Sequence, residues 1–423
     1  MNAPHTTATA ATYNAPPSVE RIGGRALLVA LVALVLCVGG AFVNLAGFWR
    51  AYLVGYVFWT GVSVGSLAII MLHHLSGGGW GVVIRRPLEA AARTLPVMFV
   101  LFIPLAVAVL THGLYPWTLP EVAGEHAVKH KAVYLNIPFF LGRTVFYFAM
   151  WWLLQHFLNK WSLEQDRTDD PRERRRLKDK LQNLSGPGIV LFGLTVTFAA
   201  VDWVMSLEPE WFSTIYGLLI MVGWGLTALA FAIVTTVILS REERFEHVYQ
   251  ARHFHDHGKL LLAFVMLWAY FSFSQFLIIW SGNLPEEIPW YLRRLYGGWG
   301  YVAGAIVVLH FALPFVLLLS RDLKRRARTL VMVALLVLFM RIVDLMWTIA
   351  PSALAMPQHG GAAAAGQGGG FIALVAYALN FVTPALIGGL WLWWYARELR
   401  SRPLLPLGDE GLENALAEPS GHH

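Results

Sequence analysis

The sequence has little cysteine and little charge. Cys37 is the only cysteine among the 423 residues, which excludes a disulfide framework, a cysteine-ligated zinc site and an iron–sulfur cluster held by this chain alone. Asp, Glu, Lys and Arg make up 14% of the residues, whereas a soluble domain has roughly 25%. Electron-carrying clusters, if the protein works with any, must therefore lie on other chains.

Several ligand motifs are missing as well. The sequence contains no Walker motif, no glycine fingerprint for a dinucleotide and no hydrolase nucleophile elbow. No two histidines are placed at matching depth for a haem. The spacing of His253, His255 and His257 is that of a metal site, but these residues lie beside basic residues without a second ligand cluster. We predict no metal site and no bound haem.

Apolar residues are abundant instead. They make up 57% of the chain and form ten runs of about 20 residues, the length that crosses a bilayer as a helix. We predict an all-α membrane protein with ten transmembrane helices. The runs span residues 25–45, 52–71, 95–112, 133–157, 187–206, 213–239, 260–281, 297–319, 330–350 and 371–396.

The basic residues predict the orientation. Most of the 32 Lys and Arg residues fall in loops on the side of the N-terminus, and cytoplasmic loops are rich in these residues. The opposite side has few: Arg50, Lys129, Lys131, Arg293 and Arg294. Both termini are therefore predicted to be cytoplasmic. The net charge of +6 belongs to loops that flank the membrane, so no nucleic-acid partner is predicted.

An internal repeat relates the two halves of the chain. Val-Asp at Asp202 is followed by Pro209 with the same spacing as Val-Asp at Asp344 and Pro351. A second match relates the third run to the seventh: Phe99-Val100 with Leu119-Pro120-Glu121, and Phe264-Val265 with Leu284-Pro285-Glu286. Both matches shift by four runs, which preserves orientation and predicts parallel repeats.

The repeat predicts two four-helix bundles with one further helix on each side. The predicted division of the chain is an N-terminal tail (1–24), a first flanking helix (25–45), the first bundle (52–206), the second bundle (213–350), a last flanking helix (371–396) and a C-terminal tail (397–423). A Gly/Ala run at 358–370 is predicted to be a flexible loop.

Ionisable residues inside membrane spans are costly and indicate function by default. His112 and Asp202 end the third and fifth runs, toward the predicted outer face, and Arg143 lies near the start of the fourth. His112 and Asp202 are candidates for accepting the two protons that a quinol releases on oxidation. The other interpretation is an interfacial histidine and an Asp202 paired with Arg143.

A second group of candidates belongs to the second bundle. Arg341 and Asp344 are three residues apart in the ninth run, on one helix face. They either neutralise each other or form a proton relay, which His310 in the eighth run would extend. Asp256 and Lys259, at the start of the seventh run, are candidates for the cytoplasmic entry of such a relay.

Long stretches of the chain resemble the NrfD/PsrC-like integral membrane subunits, and more narrowly the ActF type of bacterial alternative complex III. The resemblance runs from about residue 48 to 397. The stretches that carry it are 48–68, 71–81, Arg85-Arg86, 202–217, 258–280, 283–287 and 341–351.

The resemblance implies the same two-bundle fold in a bacterial inner membrane and a role in quinol:cytochrome c, or similar, oxidoreduction. It implies a sister NrfD-like subunit, a periplasmic iron–sulfur subunit and c-type cytochromes as partners, which would hold the haem and iron–sulfur centres. A quinol is then the expected small molecule, and His112 and Asp202 match its site in the sister subunit. Two alternatives stay open: a secondary transporter built from parallel repeats, and a structural anchor for periplasmic redox subunits.

Overall fold

The computed structural model describes residues 13–122, 126–245, 248–355 and 369–417. Within these ranges the chain is helical and forms no strand, and ten helices are long and apolar enough to cross a membrane. The predicted all-α membrane protein is confirmed. The helices are α1 (Pro17–Val43), α2 (Leu45–Ser76), α3 (Arg85–Leu110), α4 (Ile137–Arg167), α5 (Pro171–Leu207), α6 (Tyr216–Leu239), α7 (Ala251–Gly282), α8 (Trp299–Leu319), α9 (Ala327–Ser352) and α10 (Gly370–Arg400).

Two predicted segments fall largely outside the described residues. The structure begins at residue 13 of the N-terminal tail, and residues 356–368, which include most of the Gly/Ala run, are also outside it. Because the ten helices alternate in direction, both ends of the described chain lie on one side. We call the opposite side, which carries residues 111–122, 126–136, 208–215 and 283–298, the distal end.

Local sequence explains where the helices begin and end. The Asn44 side chain accepts the Gly47 N–H at 2.7 Å at the start of α2, and the Asn136 side chain accepts the Phe139 N–H at 3.0 Å at the start of α4. Such caps pair N–H groups that have no partner within the helix. The α2 helix stops before Gly77 and Gly78, whose φ values of 67° and 91° suit glycine.

Most of the helices extend beyond the apolar runs that predicted them, and α3, α4 and α5 extend the furthest. α4 continues to Arg167, α5 begins at Pro171 rather than at residue 187, and α3 begins at Arg85 rather than at residue 95. Hydropathy reports only the part of a helix that lies in the bilayer, whereas backbone hydrogen bonding continues into the charged extension. Asp170 caps the start of α5 by accepting the Arg172 N–H at 2.9 Å.

The α2 helix is the centre of the molecule. In its most apolar window 89% of the residues are buried, more than in any other described membrane helix. The backbone and indole of Trp224 in α6 lie against Gly61 and Gly65 of α2, where any side chain would collide with them. Small residues permit this close approach of two membrane helices.

The contacts divide the helices into two bundles, α2–α5 and α6–α9, which meet along α2 and α6. In each bundle the helices that are consecutive in the chain touch each other, and so do the first and the last helix of the bundle. The α1 and α10 helices pack on each other, and α10 also packs on α2. The predicted arrangement of two parallel bundles with two flanking helices is therefore present.

The end of the molecule opposite the distal end is closed by residues 401–417. Arg85 donates to Asp409 at 2.7 Å, the Gly408 N–H donates to Asp166 at 2.9 Å, and Arg252 donates to the Ala415 carbonyl at 2.6 Å. Glu89 is buried between Arg85 and Arg86 in the same network. The segment predicted as a C-terminal tail is thus bound to the bundles as far as it is described.

Candidate functional site

Asp202 is completely buried near the distal end of α5. Arg143, in α4, donates from Nε to Oδ2 at 2.8 Å and from Nη2 to Oδ1 at 2.7 Å. The Tyr147 hydroxyl also donates to Oδ2, at 2.7 Å. Both oxygens of the carboxylate are therefore occupied, in the two-point arrangement that makes an arginine–carboxylate pair strong.

Aromatic rings enclose this ion pair. The Arg143 guanidinium carbon lies 3.8 Å from the Tyr134 ring centroid and 4.3 Å from that of Phe139, close enough for cation–π attraction. Burial and the neighbouring Asp202 carboxylate raise the pKa of Tyr134, which keeps its phenol neutral. Aromatic rings thus cover the guanidinium side of this pair.

His112 takes a different position from the other two candidates of the first bundle. It follows the end of α3, is exposed, and has a φ of 56°. No hydrogen bond or ion pair joins it to Asp202 or Arg143 within the described ranges. The structure brings Arg143 to Asp202 and leaves His112 on the surface of the distal end.

The second bundle contains another buried ion pair. Arg341 and Asp344 form it within α9, and the indole N–H of Trp268 in α7 donates to Asp344 Oδ2 at 3.2 Å. The guanidinium of Arg341 occupies the space that a side chain at Gly223 of α6 would fill. By the spacing of the repeat, Asp344 corresponds to Asp202 and Arg341 to Ala199. Asp202 is thus paired with an arginine of a neighbouring helix, whereas Asp344 is paired with an arginine of its own helix.

His310 lies beside this second pair. It is buried in a π-helical segment of α8, Ile306–Ala312, and its ring centroid is 4.2 Å from that of Trp268. Among the residues that the structure describes, neither ring nitrogen has a hydrogen-bond partner. The structure therefore brings together three of the predicted relay residues, Arg341, Asp344 and His310, through Trp268.

Asp256 and Lys259 lie at the other end of α7. They form an ion pair at 2.7 Å with side chains that are 40% and 54% exposed. Twelve residues of helix separate Asp256 from Trp268, which is about 18 Å along the axis. The structure does not connect this pair to the buried group.

The histidines around Asp256 have structural partners. His253 Nδ1 accepts the Gln250 N–H at 3.2 Å, and His257 Nε2 lies 2.7 Å from the Trp80 carbonyl oxygen. The described residues contain no group of three or more His, Cys, Asp or Glu side chains arranged to hold a metal ion.

An ion cluster that links the two bundles was not predicted. Glu208, just after α5, accepts from Arg293 at 2.6 Å and from Arg294 at 2.8 Å. Arg294 also donates to the Thr348 carbonyl and to Ser352 Oγ of α9, both at 2.6 Å. Burial lowers the pKa of Arg294 and Glu208 opposes that change. The signal in the sequence was the pair Arg293-Arg294 on the side that otherwise has few basic residues.

No protein-family model matches the chain, and no curated protein matches it significantly. Function must therefore be inferred from the residues and their geometry.

Proposed function

We propose that this chain is a membrane subunit of a quinol:cytochrome c, or similar, oxidoreductase of the alternative complex III type. It supports quinol oxidation at the outer face, and its second bundle takes part in proton translocation. The bacterial inner membrane, cytoplasmic termini, the sister subunit, the iron–sulfur subunit and the c-type cytochromes are parts of the same proposal.

The observation that supports it best is the buried Asp202 at the distal end, held by Arg143 and Tyr147. Oxidation of a quinol releases two electrons and two protons, and the protons need acceptors close to the membrane surface. The electrons pass to centres on partner chains. Three hydrogen bonds use three of the about four lone-pair sites of the Asp202 carboxylate, so an incoming proton competes with Arg143 and Tyr147 for these oxygens.

The direct test is Asp202→Asn in the assembled complex. Asn has the shape of Asp but cannot accept a proton, so we expect quinol-dependent reduction of the acceptor to fall about 100-fold. Asp179→Asn is the matched control, because Asp179 lies on the exposed extension of the same helix and its loss should leave the rate unchanged. Full activity of Asp202→Asn would remove the proton-acceptor role.

Purification separates this proposal from its alternatives. Haem and iron–sulfur subunits should co-purify with the chain. A chain that purifies alone and moves a solute in proteoliposomes would instead be a secondary transporter. A complex that keeps full quinol activity and proton translocation with both Asp202 and Asp344 replaced by Asn would leave this chain the role of structural anchor.

A further inference from the structure

The second bundle contains a cavity that reaches Asp344. Its volume is about 660 Å³. Side chains of α7, α8, α9 and the short helix Ile288–Leu295 form its walls. Most of them are aromatic or aliphatic, and Trp268, Trp290 and Trp347 are among them. This size and lining are those of a site for a small apolar molecule.

The cavity opens on the lateral surface of the second bundle, which faces the lipid bilayer. Tyr270, Phe273 and Val307 belong to its lining and are each more than 60% exposed. They lie in the middle of membrane helices rather than in loops. A ligand would therefore enter from the lipid phase.

Two hydrogen-bond acceptors in the cavity have no partner. Arg341 and Trp268 both donate to Oδ2 of Asp344, and within the described residues no hydrogen bond reaches Oδ1. The side-chain oxygen of Gln275 also lacks a hydrogen bond, although Gln275 is only 2% exposed and lies near the Tyr291 hydroxyl. The buried side-chain oxygen of Gln275 is costly without a partner, and Oδ1 belongs to an Asp344 side chain that is 12% exposed, so a ligand that donates to both is favoured.

In Asp202, the equivalent acid of the first bundle, both carboxylate oxygens accept hydrogen bonds. Asp202 receives three hydrogen bonds on its two oxygens and is completely buried. The difference follows from the arginines. Arg143 reaches both oxygens from a neighbouring helix, whereas Arg341, on the same helix as Asp344, reaches one. Both oxygens of the Asp202 carboxylate are therefore hydrogen-bonded, whereas one oxygen of the Asp344 carboxylate is available to a ligand.

We propose that the second bundle binds, from the lipid phase, a hydroxylated aromatic molecule of the hydroquinone class in this cavity, with its hydroxyl groups donating to Asp344 and Gln275. The aromatic walls favour a flat ring, and the open acceptors favour a ligand that donates. The choice of a hydroquinone within this class rests on the proposed function. The proposal concerns binding alone and involves no electron transfer.

The test is a binding measurement on the full-length chain in lipid nanodiscs. The probes are radiolabelled 2-decyl-1,4-benzohydroquinone, kept reduced under argon, and its dimethyl ether, which has the same apolar body without donors. We expect the ether to bind about tenfold more weakly or worse, because it cannot satisfy the two acceptors. Equal binding of both would show a general lipid pocket and overturn the proposal.

A variant and its control locate the site. Ala303 lines the cavity, and Ala303→Phe should fill it and weaken hydroquinone binding about tenfold or more. Ala373→Phe makes the same change on the exposed surface of α10 and should leave binding unaltered. Unchanged binding to Ala303→Phe would place the ligand elsewhere and overturn the proposal.

A photoreactive form of the hydroquinone, cross-linked to the unmodified chain and mapped by mass spectrometry, tests the site without any variant. Labelling of α7 and of Ile288–Leu295 supports the proposal, whereas labelling confined to α2–α5 or no labelling overturns it. These readouts do not depend on turnover. Binding in this cavity together with full activity of Asp202→Asn would remove the proton-acceptor role of Asp202 and leave the present inference standing.

Discussion

At the scale of single residues, charge pairing distinguishes the two halves of the molecule. The planar guanidinium of Arg143 matches both oxygens of Asp202, and a lysine offers only a point charge that reaches one of them. The pairing of these two residues was one of the two interpretations that the sequence left open, since both are ionisable groups in membrane spans. The roles of Tyr147 and Trp268 could not be predicted, because hydropathy does not show which aromatic side chain points at a carboxylate.

The variant Arg143→Lys measures this match. We expect it to lower the free energy of unfolding of the detergent-solubilised chain by about 2 kcal/mol, because one charge-assisted hydrogen bond to a buried carboxylate is lost. Arg176→Lys is the control: its side chain is 68% exposed and pairs with Glu173 at 3.4 Å, so the change should stay within about 0.5 kcal/mol. An equal effect of the two substitutions would show that geometry at Asp202 contributes little.

At the scale of the helix, the π-helical segment Ile306–Ala312 is the irregular part of α8. Such bulges occur often at functional sites, and this one places the buried His310 against Trp268. The sequence predicted the depth of His310 correctly, as a residue midway along the eighth run. It did not predict the bulge, because a π-turn has no sequence pattern comparable to a cap or a proline.

The variant His310→Leu tests whether the imidazole ring of His310 has a role other than packing. Two buried nitrogens without partners cost free energy, so His310→Leu should stabilise the chain against thermal unfolding, by about 1 kcal/mol. If His310 belongs to a relay, the same variant should lower proton translocation in the assembled complex. His255→Leu, at the partly exposed start of α7, is the control and should change neither quantity. A loss of stability on His310→Leu would show that the ring makes a favourable buried interaction.

At the scale of the whole molecule, Arg294 ties the bundles together. It binds Glu208 at the end of the first repeat and Thr348 and Ser352 at the end of the second, and its guanidinium stacks 3.6 Å from the Trp290 ring centroid. The number of helices and their division into repeats could be predicted from apolar runs and spacing. This link could not, because Glu208 and Arg294 lie in separate loops that only the fold brings together.

Arg293 and Arg294 provide a matched comparison, because both bind Glu208. Arg294 is completely buried and Arg293 is 33% exposed. Arg294→Gln should lower the free energy of unfolding by about 3–5 kcal/mol, because it leaves a buried Glu208 with only one partner. Arg293→Gln should cost about 1 kcal/mol or less. Hydrogen exchange at the distal end should be faster in Arg294→Gln than in Arg293→Gln. A larger effect of Arg293→Gln on exchange or on stability would contradict the assignment of Arg294 as the link.

The central position of α2 has a consequence for synthesis. This helix leaves the ribosome before α6 and α10, yet its buried face is completed by α6 and finally by α10, where the Trp391 indole donates to Ser63 at 2.8 Å and the Thr383 hydroxyl donates to the Ala51 carbonyl at 2.5 Å. The face of α2 that α10 covers must stay in contact with lipid, or with the insertion machinery, while more than three hundred further residues are translated. Nascent chains that stop before α10 should therefore be recognised as unfinished by membrane quality control, even though nine of their helices are already in place.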